Sequence, residues 1–131
     1  MKRIEHIGIA VADLKSAEQV FEDILGTSPF KREDVPSESV RVSFFQTGES
    51  KVELLESTDP NGPIAQHIEQ RGPGLHHLAF AVDDLELECS RLEALGYQII
   101  AGPKDGADGK RIAFLHPRGT AKVLVELCAE A

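Results

Sequence analysis

The sequence has 131 residues, 41% hydrophobic and 27% charged, with a formal net charge of −8. That mix is ordinary for a soluble globular chain long enough for one domain, or for two small halves sharing a core. The acidic balance argues against general binding to nucleic acid or anionic membranes, and no apolar run approaches the roughly 20 residues of a membrane span.

Cys89 and Cys128 form no CxxC motif. They suit two reduced thiols serving as small core residues. The first strand begins by about residue 3, which leaves no room for a targeting segment, so the expected location is cytoplasmic.

In chain order, "KRIEHIGIAV" (2–11) reads as a strand interrupted by His6. Asp13 is then placed to cap a helix carrying Leu14, Ala17, Val20, Phe21, Ile24 and Leu25 at helical spacing, with Gly26 as its stop. Extended stretches follow at "VRVSFF" (40–45) and "KVELLE" (51–56). The turns "STDPNGP" (57–63) and "RGPG" (71–74) bracket a short helix with Pro63 near its start.

The pattern then repeats. "HIGIAVADL" (6–14) is matched by "HLAFAVDDL" (77–85) at an offset of 71 residues (77 minus 6). Asp84 caps a second helix with Leu85, Cys89, Leu92 and Leu95, stopped by Gly96. "KRIAFLHP" (110–117) matches the first extended stretch and "KVLVEL" (122–127) the second, while "GPKDGADGK" (102–110) reads as a polar loop. A long period seen twice indicates duplication rather than a solenoid. The predicted organisation is a single domain over 1–131, with module one at 1–58, a linker with a short helix at 59–73 and module two at 74–131.

Strand side chains alternate between faces. Ile7, Ile9 and Val11 form one row of the first strand, suited to lie under a helix, and Ile4, His6, Gly8 and Ala10 form the other. In the second repeat His76, Leu78, Phe80 and Val82 oppose His77, Ala79 and Ala81. His6 and His77 therefore each head a row of small residues on the face away from the helices, which leaves room for a cavity.

Glu53 and Glu126 lie inside apolar strands, opposite Val52 and Leu54 and opposite Val125 and Leu127. A carboxylate in such a place is costly unless it is paired or binds a metal. One His and one Glu from each half would suit a borderline divalent ion such as Zn, Co, Ni, Mn or Fe. Taken singly, each is as well read as a structural histidine or an edge glutamate; the repetition favours the metal. His76 reads as structural, His67 as solvated on the linker helix, and His116 as open between the two.

The stretches "HIGIAVADL", "KVELLE" with "PIAQHIEQRGPGLHHLAFAVDDL", and "GKRIAFLHP" with "VLVEL" resemble the vicinal oxygen chelate superfamily, and within it the methylmalonyl-CoA epimerase family, across essentially the whole chain. The resemblance implies an α+β fold of two tandem βαβββ modules with pseudo-twofold symmetry, forming one curved mixed sheet around a metal cleft. It implies metal ligands at His6, Glu53, His77 and Glu126, the same four residues that alternation selects. The ion it implies is divalent, cobalt first, with Mn, Zn or Ni as alternatives.

It also implies an acyl-CoA substrate, methylmalonyl-CoA, a homodimer, and no nucleic-acid or membrane partner. The implied reaction moves a proton off and back onto the carbon between thioester and carboxylate. Glu126 is the implied acid/base on one side and Glu53, its symmetry mate, the candidate on the other. The alternative within the superfamily is a glyoxalase-type lyase or isomerase on a thiol adduct; outside catalysis it is a metal-free binding protein of the same fold.

Two departures from the family stand out. Val42 occupies a position where some epimerases carry a second glutamate, and Ala121-Lys122 replaces paired glycines. Arg41 and Arg111, at matching places in the repeat, read either as forks for a carboxylate or phosphate or as surface strand residues. Lys104 and Lys110 are loop cations that could meet phosphates.

Overall fold

The computed structural model describes residues 1–131. Eight strands and three helices follow one another as β1 (Arg3–Ala10), α1 (Leu14–Leu25), β2 (Lys31–Val35), β3 (Val40–Thr47), β4 (Ser50–Ser57), α2 (Pro63–Arg71), β5 (Gly74–Ala81), α3 (Leu85–Ala94), β6 (Ile99–Asp105), β7 (Lys110–Leu115) and β8 (Val125–Glu130). Each half is thus a βαβββ module, with α2 between them. The class is α+β, and no helix is long and apolar enough to cross a membrane.

By internal contacts the chain divides into two compact units, residues 7–76 and residues 1–6 with 77–131. In the first unit the strand order is β2-β3-β4-β1. β2, β3 and β4 form an antiparallel meander in which Val42 faces Leu55 and Phe44 faces Glu53. Helix α1 starts where the sequence predicts: Asp13 accepts from the Ser16 amide, and Gly26 ends the helix in the left-handed conformation.

The buried layer under α1 is Val11, Leu14, Phe45 and Leu54, joined by Ile9, Ala17, Phe21, Leu25 and Val52. Val20 and Ile24, expected on that face, are exposed, while Glu18 is buried on it. The apolar stripe read from the sequence is therefore wider than the packed stripe.

In the second unit β5 lies parallel to β8, and β6, β7 and β8 are antiparallel, so the sheet is mixed. Asp84 caps α3 by accepting from the Leu87 amide. Val82, Leu85, Cys89, Ala113, Leu127 and Ala129 form its core. Val82 and Leu85 are the repeat partners of Val11 and Leu14, so the duplication is carried into both cores.

Two expectations are corrected here. β8 begins at Val125 rather than at Lys122, because Ala121 and Lys122 sit in a turn at φ 56° and 67°. The stretch 102–110 is not a loop throughout: Gly102–Asp105 belongs to β6 and pairs with β7 through Lys104↔Ile112 and Asp105↔Arg111.

Candidate metal centre

The unit formed by residues 1–6 and 77–131 gathers three predicted ligands. His6 is the last β1 residue in this unit, His77 lies early in β5, and Glu126 lies in β8, in register with Ala79 on one side and Phe114 on the other. Ala79 is small, so nothing from its position fills the space beside the Glu126 carboxylate. The His77 ring is braced edge-on by Phe114, with centroids 5.9 Å apart. All three side chains are buried.

The donor atoms converge. His6 Nε2 and His77 Nε2 are 3.0 Å apart, His77 Nε2 is 3.2 Å from Glu126 Oε1, and His6 Nε2 is 3.6 Å from the same oxygen. Donors each about 2.1 Å from one ion are separated by about 3.0 Å at right angles and about 3.4 Å at tetrahedral angles. Two of the three spacings fall in that range, and the third, 3.6 Å between His6 Nε2 and Glu126 Oε1, lies just beyond it. Two imidazoles and a carboxylate are also the donor chemistry of a borderline divalent ion.

Glu53 is on β4 in the other unit. It is buried there, with the equally buried Lys51 ammonium 3.8 Å from Oε2 and Phe44 opposite it in register. Lys51 Nζ stands 5.7 Å from the centre of the Phe44 ring. Val42, at the position of the absent family glutamate, is fully buried.

Arg41 and Arg111 each form ion pairs within their own unit. Arg41 bonds Asp34 and Glu56, and Arg111 bonds Glu86 of α3 at 2.6 Å. Their strand partners Ser43 and Ala113 lie on the helix side, Ser43 bonded to Glu18 of α1 and Ala113 in the α3 core. Both guanidinium groups are engaged by carboxylates.

His76 is partly buried and meets His67 edge-on, ring centroids 4.8 Å apart. His67 is therefore packed rather than freely solvated. Burial, reinforced by the positive field of His67, lowers the His76 pKa to about 4, so its ring is neutral at physiological pH. His116 caps the turn after β7 by accepting from the Arg118 amide.

One residue escaped the sequence reading. Glu5 is buried, and its Oε1 lies 2.7 Å from His6 Nδ1. Strand alternation assigns neighbours to opposite faces and so hides this contact. The only signal was an acid placed directly before the histidine in an otherwise apolar strand.

Paired βαβββ modules with a buried His, His, Glu set at the sheet define the vicinal oxygen chelate class of protein. Residues 5–114 match the Glyoxalase/Bleomycin resistance protein/Dioxygenase superfamily. The chain is 43% identical to an uncharacterized Bacillus subtilis protein, YqjC, over 98% of this chain and 92% of that one. It is 35% identical to an ethylmalonyl-CoA/methylmalonyl-CoA epimerase of Cereibacter sphaeroides, over 95% of this chain and 96% of that one. A solved structure of Streptomyces coelicolor methylmalonyl-CoA epimerase in complex with 2-nitronate-propionyl-CoA is similar at a TM-score of 0.93 and 30% identity, covering 100% of this chain and 96% of that one. The chain belongs to the Glyoxalase/Bleomycin resistance protein/Dioxygenase superfamily, in its methylmalonyl-CoA epimerase family.

Proposed function

We propose that this protein is a divalent-metal-dependent epimerase that interconverts the R and S forms of methylmalonyl-CoA. The observation that carries the reading is the convergence of His6 Nε2, His77 Nε2 and Glu126 Oε1 within 3.6 Å of one another in a buried setting. The similarity to epimerases of acyl-CoA substrates supports the reaction class.

His6, His77 and Glu126 would hold the ion, with Glu53 as fourth ligand. When bound, the ion supplies positive charge that lowers the cost of forming an enolate. Imidazole and carboxylate together suit the borderline ions as a group, and cobalt is the one the resemblance to the epimerase family favours among them.

The reacting carbon lies between a thioester and a carboxylate, so its proton is acidic enough for a carboxylate to take. Glu126 removes that proton, leaving a planar carbon. Return of a proton to the opposite face inverts the centre. Glu53 enters as that second acid/base through the repeat, since it is the residue in module one that answers to Glu126. Val42 is apolar and leaves the role to it.

Two buried cysteines that share no disulfide accord with a reducing, cytoplasmic setting. A homodimer completes the reading.

The test is proton exchange in heavy water with one methylmalonyl-CoA epimer, cobalt-loaded protein and a chelator-treated control. We expect deuterium at the acidic carbon together with the other epimer. Glu126→Gln should slow both by about 100-fold or more, with metal content measured in each sample. Exchange without inversion would leave only one working acid/base. No exchange in metal-loaded protein would sink the epimerase reading and direct attention to thiol-adduct substrates.

A further inference from the structure

We infer that Glu5 is a positioning residue for His6, holding its imidazole in the tautomer that leaves Nε2 free for a metal. The inference rests on the metal reading of the site and adds to it a residue that the strand pattern hides. Glu5 is 5% exposed, and a buried carboxylate is costly unless its charge is met by a donor. Its Oε1 is 2.7 Å from His6 Nδ1, and the Cys128 thiol donates to the same oxygen from 3.9 Å.

A neutral imidazole carries one proton on one of two nitrogens. With a carboxylate oxygen at Nδ1, the proton is placed there. The lone pair is then on Nε2, the nitrogen that faces His77 and Glu126. That nitrogen lies 3.0 Å from His77 Nε2. The ring is thus oriented from its Nδ1 side by Glu5, and removing such a carboxylate partner typically costs 10- to 100-fold in metal affinity.

At the offset of the repeat the position of Glu5 is taken by His76, and His77 is braced by the Phe114 ring instead. The two halves of the duplication therefore differ in the residue that precedes the histidine.

The experiment uses the full chain with two variants. Glu5→Gln keeps an acceptor oxygen in place without the charge, and Glu5→Leu removes it. Long-range proton–nitrogen NMR on metal-free, 15N-labelled wild-type protein should show His6 protonated at Nδ1. The Gln variant should keep that tautomer and the Leu variant should shift to protonation at Nε2. Cobalt(II) affinity, read by competition with a chelator, should fall about 10- to 100-fold in the Leu variant and by less than about tenfold in the Gln variant.

A His6 protonated at Nε2 in the wild type overturns the inference, and needs no variant to fold. Equal cobalt affinity in wild type and Leu variant overturns it alone. No cobalt uptake by the wild type sinks the metal reading beneath it. An intense thiolate-to-cobalt charge-transfer band also overturns it, because Glu5, His6 Nδ1 and Cys128 would then be a second ligand set.

Discussion

A carboxylate inside an apolar layer is stable only where donors meet its charge, and Glu18 has two. On the buried face of α1 it accepts from Arg32 Nε at 2.6 Å and from the Ser43 hydroxyl at 2.5 Å. Burial pushes its pKa up, and the bonds from Arg32 and Ser43 outweigh that, so the carboxyl is held below its usual range. A carboxyl whose folded-state pKa lies below its unfolded value stabilises the fold above that unfolded value. The contribution is lost as pH falls through the folded one. Half of the Arg32 side chain is in water, which screens its share. Glu18→Gln should therefore lower the unfolding free energy by about 1 to 2 kcal/mol at neutral pH, read by urea denaturation. The gap to wild type should close as the pH is lowered through the carboxylate range. A loss of the same size at acid and neutral pH would show that shape, not charge, is what Glu18 contributes.

At the scale of elements, a strand and a turn carry backbone conformations that the sequence alone does not display. Gly102 in β6 has φ +82°, and a Cβ there would sit 2.3 Å from the Ile112 carbonyl oxygen and 2.9 Å from Ala113 Cα. Backbone cannot yield to that contact as a flexible side chain can. Ahead of β8 the reverse holds: Ala121 and Lys122 adopt positive φ with side chains attached. The turn is tied by Lys122 N–H to the Pro117 carbonyl and by the Thr120 hydroxyl to the Val123 carbonyl. A left-handed L-residue costs roughly 1–2 kcal/mol, partly offset by the extra unfolded-state freedom of glycine. Opposite signs are therefore expected in thermal denaturation. Gly102→Ala should destabilise by about 2 kcal/mol or more, and Ala121→Gly should stabilise by roughly 0.5–1 kcal/mol. Two shifts of the same sign would contradict this account.

Ala121 and Lys122 stand where the resemblance places paired glycines, and their positive φ is a consequence that the residue types alone do not report. The caps at Asp13 and Asp84, the stop at Gly26 and the short helix from Pro63 were readable because each is a local signal with a local cause. So were His6, His77 and Glu126, because period-two alternation fixes a face. Glu5, Glu18 and the His67–His76 contact were not readable. Each depends on a side chain bending toward a partner set by tertiary packing, and no period reports that.

At the scale of the molecule, the candidate ligands tie together parts of the chain that are distant in sequence. Residues 1–6 belong to the same compact unit as 77–131, joined by the Lys2 amide to the Ala81 carbonyl and by a 3.0 Å ion pair of Lys2 with Asp83. An ion held by His6, His77 and Glu126 would add a further tie between the first strand and the last. Such a site does not persist in the unfolded chain, so binding free energy becomes folding free energy. With free cobalt at 100 times its dissociation constant, the gain is about 2.7 kcal/mol. For a domain of this size that raises the unfolding midpoint by roughly 10 °C. The net charge of −8 means that any divalent cation will also gather loosely at the surface, so magnesium is the necessary control. It prefers hard oxygen ligands and should give little of the shift. Chelator should reverse the cobalt shift, and His6→Ala should abolish it while leaving the chelator-treated midpoint of its own protein unchanged. Equal shifts from cobalt and magnesium, or a cobalt shift retained in His6→Ala, would mean that the ion is held by surface acids and not by the buried histidines.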